Sequence, residues 1–181
     1  MNKYKLRRKI LKIRKKKSSR KLKIDIKKFF YFLKKKKLSF KYVGGYFPSN
    51  FEIDDLQILE IMEKKNIHIS LPVVKKNSQM DFFEWSTKEP LRINKYGILE
   101  PISSKISYPD ILLVPLVGYD NELNRLGYGG GYYDRYIDKI QKIKKITTIG
   151  LAFSYQKIKN IHINKYDKKL DFIITDKEFL K

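Results

Sequence analysis

Residues 110–135 read DILLVPLVGYDNELNRLGYGGGYYDR, and the order of their parts decides the fold. The run from Ile111 to Val117 is the most apolar in the chain and suits an inner strand. It feeds a turn holding Gly127, Gly129, Gly130 and Gly131, four of the nine glycines in the protein. A helix is expected from Tyr132 to Lys144, giving the strand, glycine turn and helix of a parallel α/β unit. Glycine permits positive φ and lets backbone N–H groups approach a ligand, and the helix N-terminus adds partial positive charge, so the turn can cradle phosphate. Arg125 can add a bidentate contact. Asp134, in the first helical turn, can bridge to magnesium on bound phosphates or simply stabilise the helix dipole. Tyr128, Tyr132 and Tyr133 offer faces for a flat heterocycle. Because Tyr132 follows Gly131, the stretch is neither a P-loop nor a dinucleotide fingerprint, and the glycines alone suit a tight β-to-α turn equally well.

The same alternation extends outward. Two further strands are expected downstream, Ile146 to Phe153 and Leu170 to Thr175. Upstream, residues 66–74 (NIHISLPVV) read as a buried strand and Met80 to Trp85 as a shorter aromatic one. Phe40 to Phe47 is aromatic and β-branched, with Gly44 and Gly45 marking a close approach; Asp54 and Asp55 precede a helix starting at residue 54. Residues 86–107 read as a long connection. Residues 3–17 carry Leu6, Ile10 and Ile13 at helical spacing, and after Ser18 and Ser19 a second helix is expected over residues 20–36, with Leu22, Ile26, Phe29, Phe30 and Leu33 as its stripe. The lone Trp85 reads as core. The pattern predicts α/β architecture with a mainly parallel sheet; partly by analogy of fold, one domain over residues 1–181 is expected, a three-layer α/β/α sandwich, Rossmann-like, with the basic helical segment 1–39 packed on the body.

The formal charge of +22 is segregated. Through Lys41 there are 20 Lys and Arg against Asp25 alone, a net +19 that leaves +3 for the rest of the chain. A basic arm of this kind suits nucleic acid; the abundance of Lys and Ile throughout fits a solvated, compositionally drifted surface better. The sequence has no cysteine, so disulfides, thiolate nucleophiles and cysteine-ligated zinc are excluded, and two histidines, His68 and His162, do not make a histidine-rich metal site. No apolar run approaches the roughly 20 residues that span a bilayer, and no secretory leader is visible, so a cytoplasmic protein with no membrane association is expected.

Residues 110–135 resemble, almost position by position, the 5-formyltetrahydrofolate cyclo-ligase (methenyltetrahydrofolate synthetase) family. The resemblance covers nearly the whole chain. KYKLR at residues 3–7 is similar to its nucleotide-contacting segment, Tyr46 to Glu52 to its folate-contacting loop, YGILEP at 96–101 to its central element, and LDFIIT at 170–175 to its closing strand. Two departures stand out: Leu123 where the family usually has glycine, and Tyr166 where bacterial members often have histidine.

The resemblance implies an enzyme that uses magnesium and ATP to convert 5-formyltetrahydrofolate into 5,10-methenyltetrahydrofolate, releasing ADP and phosphate. It implies nucleotide contacts from Lys3, Tyr4, Lys5, Leu6 and Arg7, and from Arg125, Leu126, Gly127, Tyr128, Gly129, Gly130, Gly131, Tyr132 and Tyr133. It places folate on Phe47 and Glu52, with Tyr128, Gly129, Gly130, Gly131 and Tyr132 shared, magnesium on Asp134 and Asp171, and catalytic roles on Arg125 and Asp134. Lys3 and Arg7, four apart, share one helical face. A monomer is expected. Two other readings stay open at this point: a nucleic-acid-binding protein that uses residues 1–41, and an ATP-dependent kinase of another small molecule.

Overall fold

The computed structural model describes residues 2–18 and 22–181; Ser19 and residue 20, where the sequence suggests a break and a helix start, lie outside the described residues. In chain order the elements are α1 (Lys3–Lys17), α2 (Ile26–Lys35), β1 (Tyr42–Gly44), α3 (Leu56–Lys64), β2 (His68–Val74), β3 (Met80–Trp85), β4 (Leu91–Ile93), β5 (Leu99–Pro101) and β6 (Ile106–Ser107). Then follow β7 (Ile111–Pro115), β8 (Gly118–Tyr119), β9 (Arg125–Leu126), α4 (Tyr132–Gln141), β10 (Thr147–Ala152), β11 (Phe172–Thr175) and β12 (Phe179–Leu180).

Eight strands form one sheet in the order β12-β11-β10-β7-β1-β2-β3-β6. The central five, β11 to β2, are parallel, and β12, β3 and β6 add antiparallel edges. The expected mainly parallel α/β architecture is therefore the one observed. Side chains alternate across β7: Ile111 and Leu113 join a core with α2 and α3, while Leu112 and Val114 join a second core with α4. Three layers follow from that alternation.

Several elements differ from the sequence reading for local reasons. α2 begins only at Ile26, because Asp25 caps it by accepting the Lys28 amide at 3.0 Å. β1 is shorter than expected because the Tyr46 amide leaves the ladder for the Asp55 carboxylate, at 3.0 Å. Gly44 earns its place by close approach, since a Cβ there would lie 2.8 Å from Phe82 and Pro109. Residues 86–107 are not an unstructured connection but contain the hairpin β4–β5, clasped by Glu100, which accepts from Arg92 Nε at 3.0 Å and Asn94 Nδ2 at 3.2 Å. Trp85 is core, as expected, with its indole N–H donating to the Glu89 carbonyl at 3.2 Å.

The order of strands fixes where a site can form. β1 and β7 are adjacent and parallel, yet β1 continues through α3 on one face to β2, whereas β7 continues through α4 on the other face to β10. That is a topological switch point, and the crevice lies beyond the carboxyl ends of these two strands. α1 crosses this end of the sheet, burying Leu6 and Ile10 against Val117, Leu126 and Ile161.

The loop leaving β1 is anchored by Asp55, which is fully buried, with Oδ2 on the Tyr46 amide and Oδ1 unpaired among the described residues. Burial pushes its carboxyl well above the ordinary carboxylate range, although the Tyr46 amide opposes the shift. The native state thus holds a proton that the unfolded chain releases above about pH 3.9, and this contribution to stability falls as pH rises from there toward the raised native value. Asp55→Asn keeps the acceptor and removes the titration. The melting temperature of this variant relative to wild type is expected to climb as pH rises from about 4; a difference that is flat with pH would show that Asp55 is ionised in the fold.

Candidate active site

Between β7 and the glycine turn the chain makes a short hairpin, β8–β9, instead of running straight into the turn. Asp120 builds its bend: one carboxylate oxygen accepts the Glu122 and Asn124 amides at 3.0 Å each, and the other accepts Asn124 Nδ2 at 3.1 Å and the Ile161 amide at 3.0 Å. Leu123 sits in this bend at φ +63°, in the left-handed region, which explains why glycine suits the position. The glycine turn itself needs positive φ at Gly129 (+110°) and at Gly131 (+66°), the residue that caps α4. No side chain accepts from the first turn of α4 at this cap, so its amides remain directed at the crevice.

α1 delivers two cations to this turn. Arg7 Nε donates to the Gly127 carbonyl at 2.7 Å, and its guanidinium lies against Gly129, where a Cβ would be 3.4 Å from Cζ. Lys3 pairs with Asp167. The other residues of that segment do not reach the turn in the same way: Leu6 is core, and Tyr4 and Lys5 face solvent. Arg125, itself buried, pairs with Asp134 through Nη2 to Oδ1 at 2.7 Å and lies over the Tyr133 ring. The same Asp134 oxygen accepts the Lys168 amide at 3.1 Å. This brings residue 167 to the crevice. Burial works against the Asp167 carboxylate, but Lys3 and the Asn164 amide, with Arg125 farther away, hold it below its usual pKa.

Asp171 does not join Asp134. Its Oδ2 accepts from the Thr148 amide at 2.7 Å and the Thr148 hydroxyl at 2.8 Å, at the start of β10 and β11, whereas Asp134 stands at the opposite, carboxyl end of the sheet. The Lys168 amide bonded to Asp134 brings the neighbouring Asp167, with its Lys3 partner, to the same wall, in a loop whose role gave no signal in the sequence.

On the other wall, the loop leaving β1 carries half-buried Phe47 and then folds back through Asn50 and Phe51, both at positive φ (+48° and +59°). The turn aims Glu52 inward. Its Oε2 accepts the Ser49 amide at 2.8 Å and the Ser49 hydroxyl at 3.2 Å, and its Oε1 accepts the Tyr128 hydroxyl at 2.8 Å. Burial raises the Glu52 pKa, with the Ser49 amide, Tyr128 and Arg14 opposing the rise. A cleft lined by Lys17, Ile24, Phe51, Glu52, Ile58 and Tyr155 opens beside this carboxylate. Tyr155 stacks on Phe153 at 5.2 Å, and the Lys17 ammonium lies 4.5 Å from the Tyr155 ring centre. At the far rim, the Tyr132 and Tyr96 hydroxyls bond at 2.7 Å, which draws the β4–β5 hairpin to the glycine turn.

The interior of the site also contains a residue that the sequence reading passed over. Arg14 is 1% exposed. Together with Leu6 and Ile10 it forms the buried stripe of α1, in the place expected for Ile13, which is only half-buried. The signal was present, since Arg14 continues the spacing of four from Leu6 through Ile10, but a cation among so many exposed lysines does not read as an inward-facing position.

The chain matches the model of the 5-formyltetrahydrofolate cyclo-ligase family over residues 1–176. The 5-formyltetrahydrofolate cyclo-ligase of Haemophilus influenzae is 31% identical over 142 residues, covering 75% of each chain. That of Escherichia coli K12 is 28% identical over 131 residues, covering 68% of this chain and 71% of the other. Among solved structures, the 5,10-methenyltetrahydrofolate synthetase of Aquifex aeolicus superposes with a TM-score of 0.77 at 28% identity, covering 100% of this chain and 93% of that one. The Mycoplasma pneumoniae synthetase gives 0.73 at 28% identity, covering 98% of this chain and all of that one. With the family model matching residues 1–176 of its 181, this chain belongs to the 5-formyltetrahydrofolate cyclo-ligase family.

Proposed function

We propose that the protein converts 5-formyltetrahydrofolate into 5,10-methenyltetrahydrofolate at the expense of ATP, using the crevice between the glycine turn and the Glu52 loop. One observation carries this assignment: Tyr128, inside the glycine turn, donates to Glu52 at 2.8 Å, so the wall suited to phosphate and the wall suited to a pterin are in contact. A formamide carbonyl is a poor electrophile and its oxygen a poor leaving group. Attack of the formyl oxygen on the γ-phosphorus, with ADP leaving, gives an iminium phosphate; the neighbouring amine nitrogen closes the ring, loses its proton to the medium, and phosphate departs with the oxygen. Such a transfer demands positioning and charge neutralisation. The turn amides, Lys3, Arg7 and Arg125 supply both toward the triphosphate. Glu52 accepts paired pterin N–H groups, and Phe47 packs against the ring. Tyr132 and Tyr96 flank the mouth.

Magnesium fits the residues present in a limited way. No group of three or more His, Cys, Asp or Glu able to hold a metal occurs among the described residues. Asp134 and Asp167 are two carboxylates at the phosphate wall, which matches the preference of this cation for one or two protein oxygens completed by phosphates and water. When bound there it would neutralise charge on the transferred phosphoryl group. Asp134 and Asp167 would hold it, releasing Arg125 and Lys3 toward the phosphates. Asp171, bonded to Thr148, is not part of this assignment.

Mixing the protein with 5-formyltetrahydrofolate and magnesium-ATP is expected to produce the absorbance of the methenyl product; no product under saturating conditions would overturn the assignment. Asp134→Asn is expected to lower kcat by about 100-fold or more, as loss of a group that neutralises transition-state charge does. Retention of full activity would remove Asp134 from the machinery. A methyl group at Gly129 requires an L residue to adopt φ +110°, a strained conformation, beside the Arg7 guanidinium. Gly129→Ala is therefore expected to raise the KM for ATP about tenfold or more, with a smaller change in the folate KM, an outcome read from two substrate titrations; an unchanged ATP KM in the folded variant would remove the turn from the nucleotide wall.

A further inference from the structure

We propose that Arg14 is a positioning residue for folate recognition: by donating to the Tyr128 hydroxyl it fixes that hydroxyl as a donor to Glu52, so that Glu52 meets the pterin as a carboxylate. The inference deepens the proposed folate site and rests on it.

The geometry admits one polarity. Arg14 Nη1 lies 2.7 Å from Tyr128 Oη, and Tyr128 Oη lies 2.8 Å from Glu52 Oε1. A guanidinium has five N–H donors and no acceptor, so the tyrosine oxygen must accept from Arg14, and its one proton is left for Glu52. Without the arginine, the hydroxyl could as well accept from a protonated Glu52. Arg14 is itself held rigidly, because Nη2 donates to the Leu116 carbonyl at 2.6 Å, at the end of β7, and its guanidinium lies 5.9 Å from the Tyr128 ring centre. The cation thus ties α1, the carboxyl end of β7, the glycine turn and the Glu52 loop into one unit.

Glu52 needs that support. Its surroundings include Arg14 from α1 and Tyr128 from the glycine turn, and also Tyr133 from α4 with Tyr46 and Asp55 from its own side of the crevice. Arg14 is the cation bonded to the Tyr128–Glu52 pair, while Lys17, Lys23 and Asp54 line the adjoining cleft. Burial raises the Glu52 carboxyl, and Ser49, Tyr128 and Arg14 oppose that rise. A protonated Glu52 can no longer accept two parallel N–H groups from a pterin, so the protonation state of this residue translates into folate affinity.

The test compares Tyr128→Phe and Arg14→Lys with wild type in the pH dependence of kcat/KM for 5-formyltetrahydrofolate and of the KM for ATP. Tyr128→Phe removes only the relaying hydroxyl, and Arg14→Lys keeps a charge but not the fork. Both are expected to move the acid limb for folate upward by about one pH unit or more and to raise the folate KM about tenfold at pH 7; for Arg14→Lys, which replaces no residue of the glycine turn, the ATP KM is expected to stay within about twofold. Thermal melts confirm that each variant is folded; should Arg14→Lys fail to fold, Tyr128→Phe decides alone. An acid limb that stays in place in the folded variants, whatever the loss of rate, would show that Arg14 is only a strut and would overturn the inference. Absence of turnover in wild type would instead defeat the folate assignment, so the two failures are distinguishable.

Discussion

Two neighbouring parallel strands that send their chains to opposite faces leave an opening that no connection crosses, and the rest of this molecule is arranged around that constraint. β1 exits into the Glu52 loop and β7 into the β8–β9 hairpin and the glycine turn, so residues about 75 positions apart are forced to face each other across a few ångströms. The apolar alternation of β7 is what makes this possible. A strand buried on both faces cannot shift by one residue without exposing one of its two cores, so its carboxyl end, and the turn beyond it, is fixed in place.

The basic N-terminal arm looks different once it is sorted by what each side chain touches. Lys3, Arg7 and Arg14 stand on the inner side of α1, at the Asp167 carboxylate, the Gly127 carbonyl and the Tyr128 hydroxyl respectively, while Lys5, Arg8, Lys9 and Lys12 face solvent. One helix therefore carries both an apolar dock, Leu6 and Ile10, and a row of cations directed at the crevice.

Fold class was legible because it depends on periodicity. The run at 111–117 and the β-branched stretches around it have no solvated alternative, and they produced the parallel centre of the sheet. The glycine turn was equally plain, since left-handed positions leave a mark in residue type. Contacts made by loops were less legible. Asp167 follows an extended, irregular segment, and what brings it to Asp134 is a backbone bond from its neighbour Lys168, which no side-chain pattern records. Asp171 entered as a ligand only through the family resemblance, since by itself it reads as a strand-start acid; its partner Thr148 holds it at the other end of the sheet from Asp134. Arg14 was hidden for a third reason: a composition dominated by lysine makes every cation look like surface, and only the spacing from Leu6 and Ile10 separates the buried one.

Leu123 shows how the same geometry tolerates a departure in residue type. Holding a branched side chain at φ +63° costs about 1–2 kcal/mol relative to the right-handed region. The side chain is not wasted, however. Leu123 is buried in the core formed with Leu116, Tyr136 and Leu170, a gain of about 1.5–3 kcal/mol that glycine could not supply. Its carbonyl accepts the Leu170 amide at 3.1 Å, and Asp120 holds the bend from inside with four further hydrogen bonds. The two effects of the substitution are of similar size and opposite sign, so the hairpin keeps its shape and Arg125, two residues later, still reaches Asp134.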